Sequence, residues 1–195
     1  MNIHYDIQRL QVDVDKESSS LTQQWQNVMN IVNSECYGEL ARARLAFNLV
    51  DYITSDDLQL RLLISRAPQA MAKIAEETSV YKEQRVINNK KTGVVYSRSE
   101  QMIPKTLNYK AQYTAHRIVN GRSQTLSSSN LLKCLEVGDT LTPLDGVLFL
   151  QCKRIASNIE KLKKRHSHLN IEMKRIDVSD SFTGTKRKMA SYRLV

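Results

Sequence analysis

The sequence predicts a mainly α protein with a small amount of β structure. An amino-terminal helical bundle with an edge strand and a hairpin is expected over residues 1–124, followed by three helices and a basic hairpin over 125–195. Three observations carry that expectation. Apolar residues recur at three- and four-residue steps in four successive stretches between Trp25 and Ala75. The run Thr142-Pro143-Leu144-Asp145 sets a hydroxyl, a proline and a carboxylate where a helix start favours each of them. Residues 169–177 and 186–194 alternate apolar and polar on either side of the turn-rich run Ser179-Asp180-Ser181-Phe182-Thr183-Gly184.

Taken in order, Ile3, Tyr5 and Ile7, then Leu10, Val12 and Val14, alternate with polar residues and predict an edge strand or a strand pair. Ser18 to Ser20 can cap a first helix whose stripe is Trp25, Val28, Met29 and Val32. A second, from Glu39 to Ile53, sets Leu40, Ala43, Phe47 and Val50 on one face with Arg42 and Arg44 off it. Asp56 caps a third, Asp57 to Ser65, and Pro68 opens a fourth through Met71, Ile74 and Ala75. Val86-Ile87 and Val94-Val95 flank a turn-forming stretch and read as a hairpin. A helix is expected over Tyr109 to Asn120 with Gly121 as its left-handed cap, and the Ser- and Thr-rich run 123–130 is read as the linker. No fixed-period repeat is visible. Beyond the linker lie a short helix through Leu131, Leu132 and Leu135, the proline-started helix from Thr142, and a longer one from Lys153 to Arg165 with Ile155, Ala156, Ile159 and Leu162 on one stripe.

With 195 residues, 41% of them hydrophobic, the chain can bury a core without staples, which excludes disordered and collagen-like classes. Cys36, Cys134 and Cys152 are too scattered for a disulfide framework and predict a reducing, cytoplasmic compartment. The longest aliphatic or aromatic run is Val147 to Leu150, so neither a membrane span nor a secretory signal is expected.

Charge is segregated along the chain. Residues 1–100 hold 12 basic and 13 acidic side chains, whereas 101–195 hold 17 and 7. The last 45 residues alone hold 12 against 4, concentrated at Lys161 to Arg165 and Lys186 to Lys188. Such a localised positive surface attracts polyanions, nucleic acid foremost.

Leu141-Thr142-Pro143-Leu144-Asp145-Gly146-Val147-Leu148, then Arg154-Ile155-Ala156-Ser157-Asn158-Ile159-Glu160-Lys161-Leu162-Lys163, and a basic hairpin ending near Tyr192 together resemble the small winged helix-turn-helix domain of phage and prophage proteins. The resemblance covers residues 125–195. It implies a threonine-capped second helix, a recognition helix and a two-stranded wing. The chain departs from that pattern at Leu150-Gln151-Cys152, where the family often has glycine; here the glycine is Gly146.

Polar side chains on a helix that fits the major groove read base edges, while Lys and Arg on a wing reach phosphates. The expected base-reading residues are Arg154, Ser157, Asn158 and Lys161; the expected phosphate ligands are Lys153, Lys164, Lys174, Lys186, Arg187 and Lys188. Tyr109, Tyr113 and His116 are read as an aromatic stripe packed on the bundle rather than a stacking platform for bases, and Trp25 as the bundle's core anchor. His166 and His168 lack a third ligand at metal spacing, and Cys152 is read as a half-buried core thiol. Asp56 and Asp57 diverge on a helix, and no phosphate-cradling loop or nucleophile motif is present, so neither enzymatic activity nor a cofactor is expected.

The leading expectation is a sequence-specific double-stranded DNA binder, a phage or mobile-element transcription regulator whose residues 1–124 form a homodimer or hold a protein partner. The alternatives are a protein-docking module that inhibits or recruits a host or phage complex, and a replication or recombination accessory factor.

Overall fold

The computed structural model describes residues 1–13, 19–35, 38–87, 91–105, 107, 110–152, 154–181, 184 and 186–195, with side chains described at 1–7, 20–32, 38–86, 92–105, 107, 114–152, 154–181, 184 and 186–195. The elements run β1 (Asn2–Asp13), α1 (Ser19–Glu35), α2 (Glu39–Leu49), β2 (Tyr52–Thr54), α3 (Ser55–Leu60), α4 (Ala67–Glu77), β3 (Tyr81–Ile87) and β4 (Lys91–Ser97). They continue with β5 (Lys110–Val119), β6 (Arg122–Gln124), α5 (Leu131–Glu136), α6 (Pro143–Leu148), α7 (Ile155–Arg165), β7 (Ile171–Asp180) and β8 (Lys186–Leu194). The chain forms two compact units, one from residues 1–8 and 115–195, the other from 9–114.

The expectation of a mainly α protein is overturned: the described residues form a mixed fold, in which seven α-helices accompany a five-stranded mixed sheet and a three-stranded sheet. Part of the missing β structure lies at 109–120, expected to be helical. Lys110–Val119 is strand β5. Arg117 is buried while Thr114 and His116 on the other face are exposed, the period of two that a strand imposes. Gly121 caps no helix. Asn120 and Gly121 both have positive φ, 48° and 81°, between the paired Val119 and Arg122, so they form the tight turn of the β5–β6 hairpin. Asn-Gly is the sequence signature of that turn, because it needs left-handed backbone at both central positions.

In the first unit the sheet order is β6-β5-β1-β7-β8. The expected edge strand is therefore interior. β1 pairs in parallel with β7 from Asn2↔Asp177 to Tyr5↔Asp180, and Ile3 and Tyr5 are fully buried. This pairing is why residues 1–8 belong with 115–195, whereas the sequence reading placed a boundary at 124/125. A core of Cys134, Leu135, Leu141, Ile155, Ile159 and Ile171, with Leu162 and Tyr192 against it, joins α5 and α7 to the sheet.

In the second unit the expected four-helix bundle is instead four helices with a three-stranded sheet ordered β2-β4-β3. The second helix stops at Leu49 rather than Ile53, because Tyr52–Thr54 leave it to pair with β4. Trp25 anchors the core as expected, with the Arg61 guanidinium 4.6 Å over its ring. Arg42, expected off the apolar face, is fully buried and donates from Nε to the Leu62 carbonyl at 3.0 Å. A buried guanidinium is tolerable only with such acceptors. The β3–β4 hairpin forms with Val86↔Thr92 and Ile87↔Lys91 as its last pairs; its turn, 88–90, lies outside the described residues.

The two units repeat one local design, which the sequence reading did not detect. Thr54 and Thr142, 88 residues apart, each cap a short helix and form a capping box with Asp57 and Asp145. The Leu62 and Leu150 amides then bond to the Asp57 and Asp145 carbonyls at 3.2 and 3.1 Å, and those of Ile64 and Cys152 to Leu58 and Gly146 at 2.9 and 2.7 Å. Leu63 and Gln151 take the same left-handed φ of 50°. Arg66 and Arg154 follow as N-caps with φ, ψ of −121°, 56° and −134°, 66°. Each next helix is 11 residues long and leads to an antiparallel hairpin. Even the bridge to the hairpin matches, Ile53 to Tyr96 and Leu141 to Tyr192.

Candidate nucleic-acid interface

The α6–turn–α7 element starts from its cap. Thr142 Oγ1 accepts from the Asp145 amide at 3.3 Å, and Asp145 Oδ2 accepts from the Thr142 amide at 2.7 Å. These bonds satisfy backbone donors that the helix start leaves over. The turn solves its missing glycine in two ways: Gln151 itself adopts the left-handed conformation, and Gly146 lets the Cys152 carbonyl approach to 2.6 Å of where a Cβ would stand.

Beneath the cap lies a buried polar cluster. Tyr5 Oη is 2.6 Å from Thr142 Oγ1, and Arg117 donates to Asp145 Oδ1 at 3.3 Å and to the Thr140 carbonyl at 2.6 Å. Burial pushes the Asp145 carboxyl above its ordinary value, against the opposing pull of Arg117, and pushes the Tyr5 phenol well up. Sequence reading found the Asp145 cap but neither of these partners. Arg117 was assigned to a helix, and its inward position is visible only once 110–119 is read with a period of two.

On α7, Ile155 and Ile159 are buried and Leu162 packs beside them. Arg154, Ser157, Lys161 and Lys164 are exposed. At about 100° per residue these four lie within a stripe of roughly 80°, with Arg165 just beyond it. Lys163, Lys164 and Arg165 occupy the last turn, where positive charge is favoured by the helix dipole. Asn158, expected to read bases, is half-buried and donates from Nδ2 to Cys152 Sγ at 3.0 Å, tying the helix to the preceding turn. Cys152 is half-buried, as expected. Lys153 lies outside the described residues.

Register decides where the hairpin cations point. Lys186 pairs with Ser179 and Lys188 with Asp177, and both lysines are exposed. Lys188 Nζ is 2.9 Å from Asp177 Oδ1, and that contact holds the Asp177 carboxyl below its ordinary value. Lys174 is also exposed, 2.9 Å from Glu172. Arg187 falls on the opposite face, opposite buried Val178, with Nη1 3.4 Å from the buried Asp180 carboxylate. Its side chain is 16% exposed, which makes it a prop inside the unit rather than a surface cation.

The other singled-out side chains do not join this face by a described contact. Tyr109 and the Tyr113 side chain lie outside the described residues, and His116 is exposed on β5. The rings of His166 and His168 meet edge-on with centroids 5.9 Å apart. Among the described residues no group of three His, Cys, Asp or Glu side chains is placed to hold a metal ion, and no helix is long and apolar enough to cross a membrane. No protein-family model, curated protein or solved structure matches the chain.

Proposed function

We propose that the protein binds duplex DNA through α7 and the β7–β8 hairpin, with residues 125–195 acting as a winged helix-turn-helix. The observation that carries this reading is the exposed Arg154, Ser157, Lys161 and Lys164 stripe on a helix whose opposite face is locked into the core. Arg and Lys bind guanine edges or phosphates, and a serine hydroxyl donates or accepts at either. The unit bearing this stripe holds 15 basic and 8 acidic residues, against 14 and 12 in the other. In this reading Arg154, Ser157 and Lys161 face bases at a preferred sequence, Arg154 and Lys161 pair instead with phosphates on random duplex, Lys164, Lys174, Lys186 and Lys188 face phosphates on either, and Asn158 and Arg187 hold the frame.

The test is fluorescence anisotropy with a random duplex of about 30 base pairs and the matching single strand. Six phosphate contacts imply a fall in duplex affinity of about a thousandfold between 50 and 200 mM salt. Absence of duplex binding at the lower salt refutes the reading and turns attention to protein partners. A preference for the single strand favours a replication or recombination accessory role, whereas selection of one sequence from a random pool supports transcription regulation.

A further inference from the structure

We infer that α4 and the β3–β4 hairpin form a second DNA-contacting surface, so that one chain carries two such modules. This inference rests on the DNA-binding reading of the first module and extends it to a segment that the sequence analysis assigned to dimerisation or protein docking. Its basis is chemical as well as geometric. The 88-residue correspondence that aligns the caps and turns also aligns Arg66 with Arg154, Gln69 with Ser157 and Lys73 with Lys161. All six side chains are exposed.

Core packing explains why threonine caps and buried leucines recur, since each has a structural duty in its own unit. It does not explain the recurrence of an arginine, an uncharged hydrogen-bonding side chain and a lysine at three solvent-facing positions of one helical stripe. Those positions, at steps of three and four residues from the N-cap, are where a groove-bound helix presents side chains to base edges and flanking phosphates. The strands that follow add Lys82 and Arg85 beside one acid, Glu83. Lys82 is exposed, and Arg85 Nη2 lies 2.9 Å from Glu83.

The copies differ at the far end of the helix. Lys164 and Arg165 of α7 correspond to Glu76 and Glu77 of α4. Arg44 takes the Glu77 carboxylate in a bidentate pair with contacts of 2.6 and 3.0 Å, so part of that negative charge is met within the unit. Glu76 remains exposed on the last turn, where it repels phosphate. The second surface is therefore the weaker of the two, with its contacts confined to the first two turns of α4 and the hairpin.

The experiment uses the full chain and a random duplex on the order of 40 base pairs, long enough for two modules spaced by one or more helical turns. Affinity is measured across a salt series for wild type, Arg154→Ala/Lys161→Ala, Arg66→Ala/Lys73→Ala and the quadruple variant. Each lost phosphate contact lowers the slope of log affinity against log salt by about 0.9. A reduction of about two is thus expected for either double variant and about four for the quadruple. Because all four residues are exposed, circular dichroism and melting are expected to match wild type, and Arg66→Lys/Lys73→Arg should restore the wild-type slope.

A wild-type slope and affinity for Arg66→Ala/Lys73→Ala, beside a reduced slope for Arg154→Ala/Lys161→Ala, overturns the second surface and leaves the first standing. Unchanged binding in both double variants overturns the first reading and the inference with it. Reduced binding that the charge-conserving variant fails to restore assigns Arg66 and Lys73 a structural role and also overturns the inference.

Discussion

Arg117 and Asp145 show how much one buried pair can carry. Their side chains are 2% and 0% exposed, and the carboxylate also caps α6 through the Thr142 amide. A buried ion pair adds little net stability over an apolar pair, but removing one member strands the other charge. Arg117→Met is expected to destabilise the first unit by about 3–5 kcal/mol in denaturant unfolding. Arg117→Met/Asp145→Asn should cost clearly less than the two single changes added together, the sign of direct coupling. Additive losses would show that the pair does not act as a unit. The hairpin offers a milder residue-scale case. Lys188 holds the Asp177 carboxyl below its ordinary value, so the contact stabilises the fold above that ordinary value and is lost as pH falls through the lower folded value. Carboxyl titration by NMR should place Asp177 below the ordinary range of an aspartate, and Lys188→Ala should raise it.

At the scale of elements, the helix–turn–helix is held by caps and a close backbone approach rather than by a glycine turn. Thr142→Ala removes an N-cap and half of a capping box, which costs about 1 kcal/mol, and Thr54→Ala should do the same in the second unit. Gly146→Ala places a methyl 2.6 Å from the Cys152 carbonyl, so the α6–α7 turn must shift. A loss of about 1–3 kcal/mol is expected, with weakened DNA binding because α7 is displaced. A melting temperature equal to wild type would show that the turn gives way freely. The predicted α7 and β8 recur nearly residue for residue, Ile155–Arg165 and Lys186–Leu194, because amphipathic spacing and alternation are local signals. Segment 110–119 reads as a helix because Arg117 breaks its alternation, a charged residue on the inward face that only the tertiary partners Asp145 and Thr140 make fit for the core.

For the whole molecule, the placement of residues 1–8 matters most. They supply the strand between β5 and β7, with Ile3 and Tyr5 fully buried and the Tyr5 hydroxyl on the α6 cap. Burying each of two such side chains contributes about 1.5–3 kcal/mol, and an interior strand also satisfies the backbone groups on both its neighbours. Deleting residues 1–8 is expected to unfold the 115–195 segment and to leave only the weaker duplex binding of the 9–114 unit, which keeps its own melting transition, readable by calorimetry. Duplex affinity equal to wild type after the deletion would contradict this dependence.

The helix starts at Thr142 and Pro68, the stripe of α7, the charge concentrated in the last 45 residues and the carboxy-terminal hairpin are legible along the chain, because caps, periodicity and charge act within a few residues of one another. That β1 is interior, that Arg187 and Asn158 turn toward the frame, and that the two units share one helix–turn–helix design follows from pairing and burial in the folded chain. Only six of the 25 positions from Ile53 to Glu77 are identical to their partners from Leu141 to Arg165. The rest of the likeness resides in backbone torsions and in which face each side chain occupies, and those are set by long-range strand pairing and burial that spacing along the chain does not record.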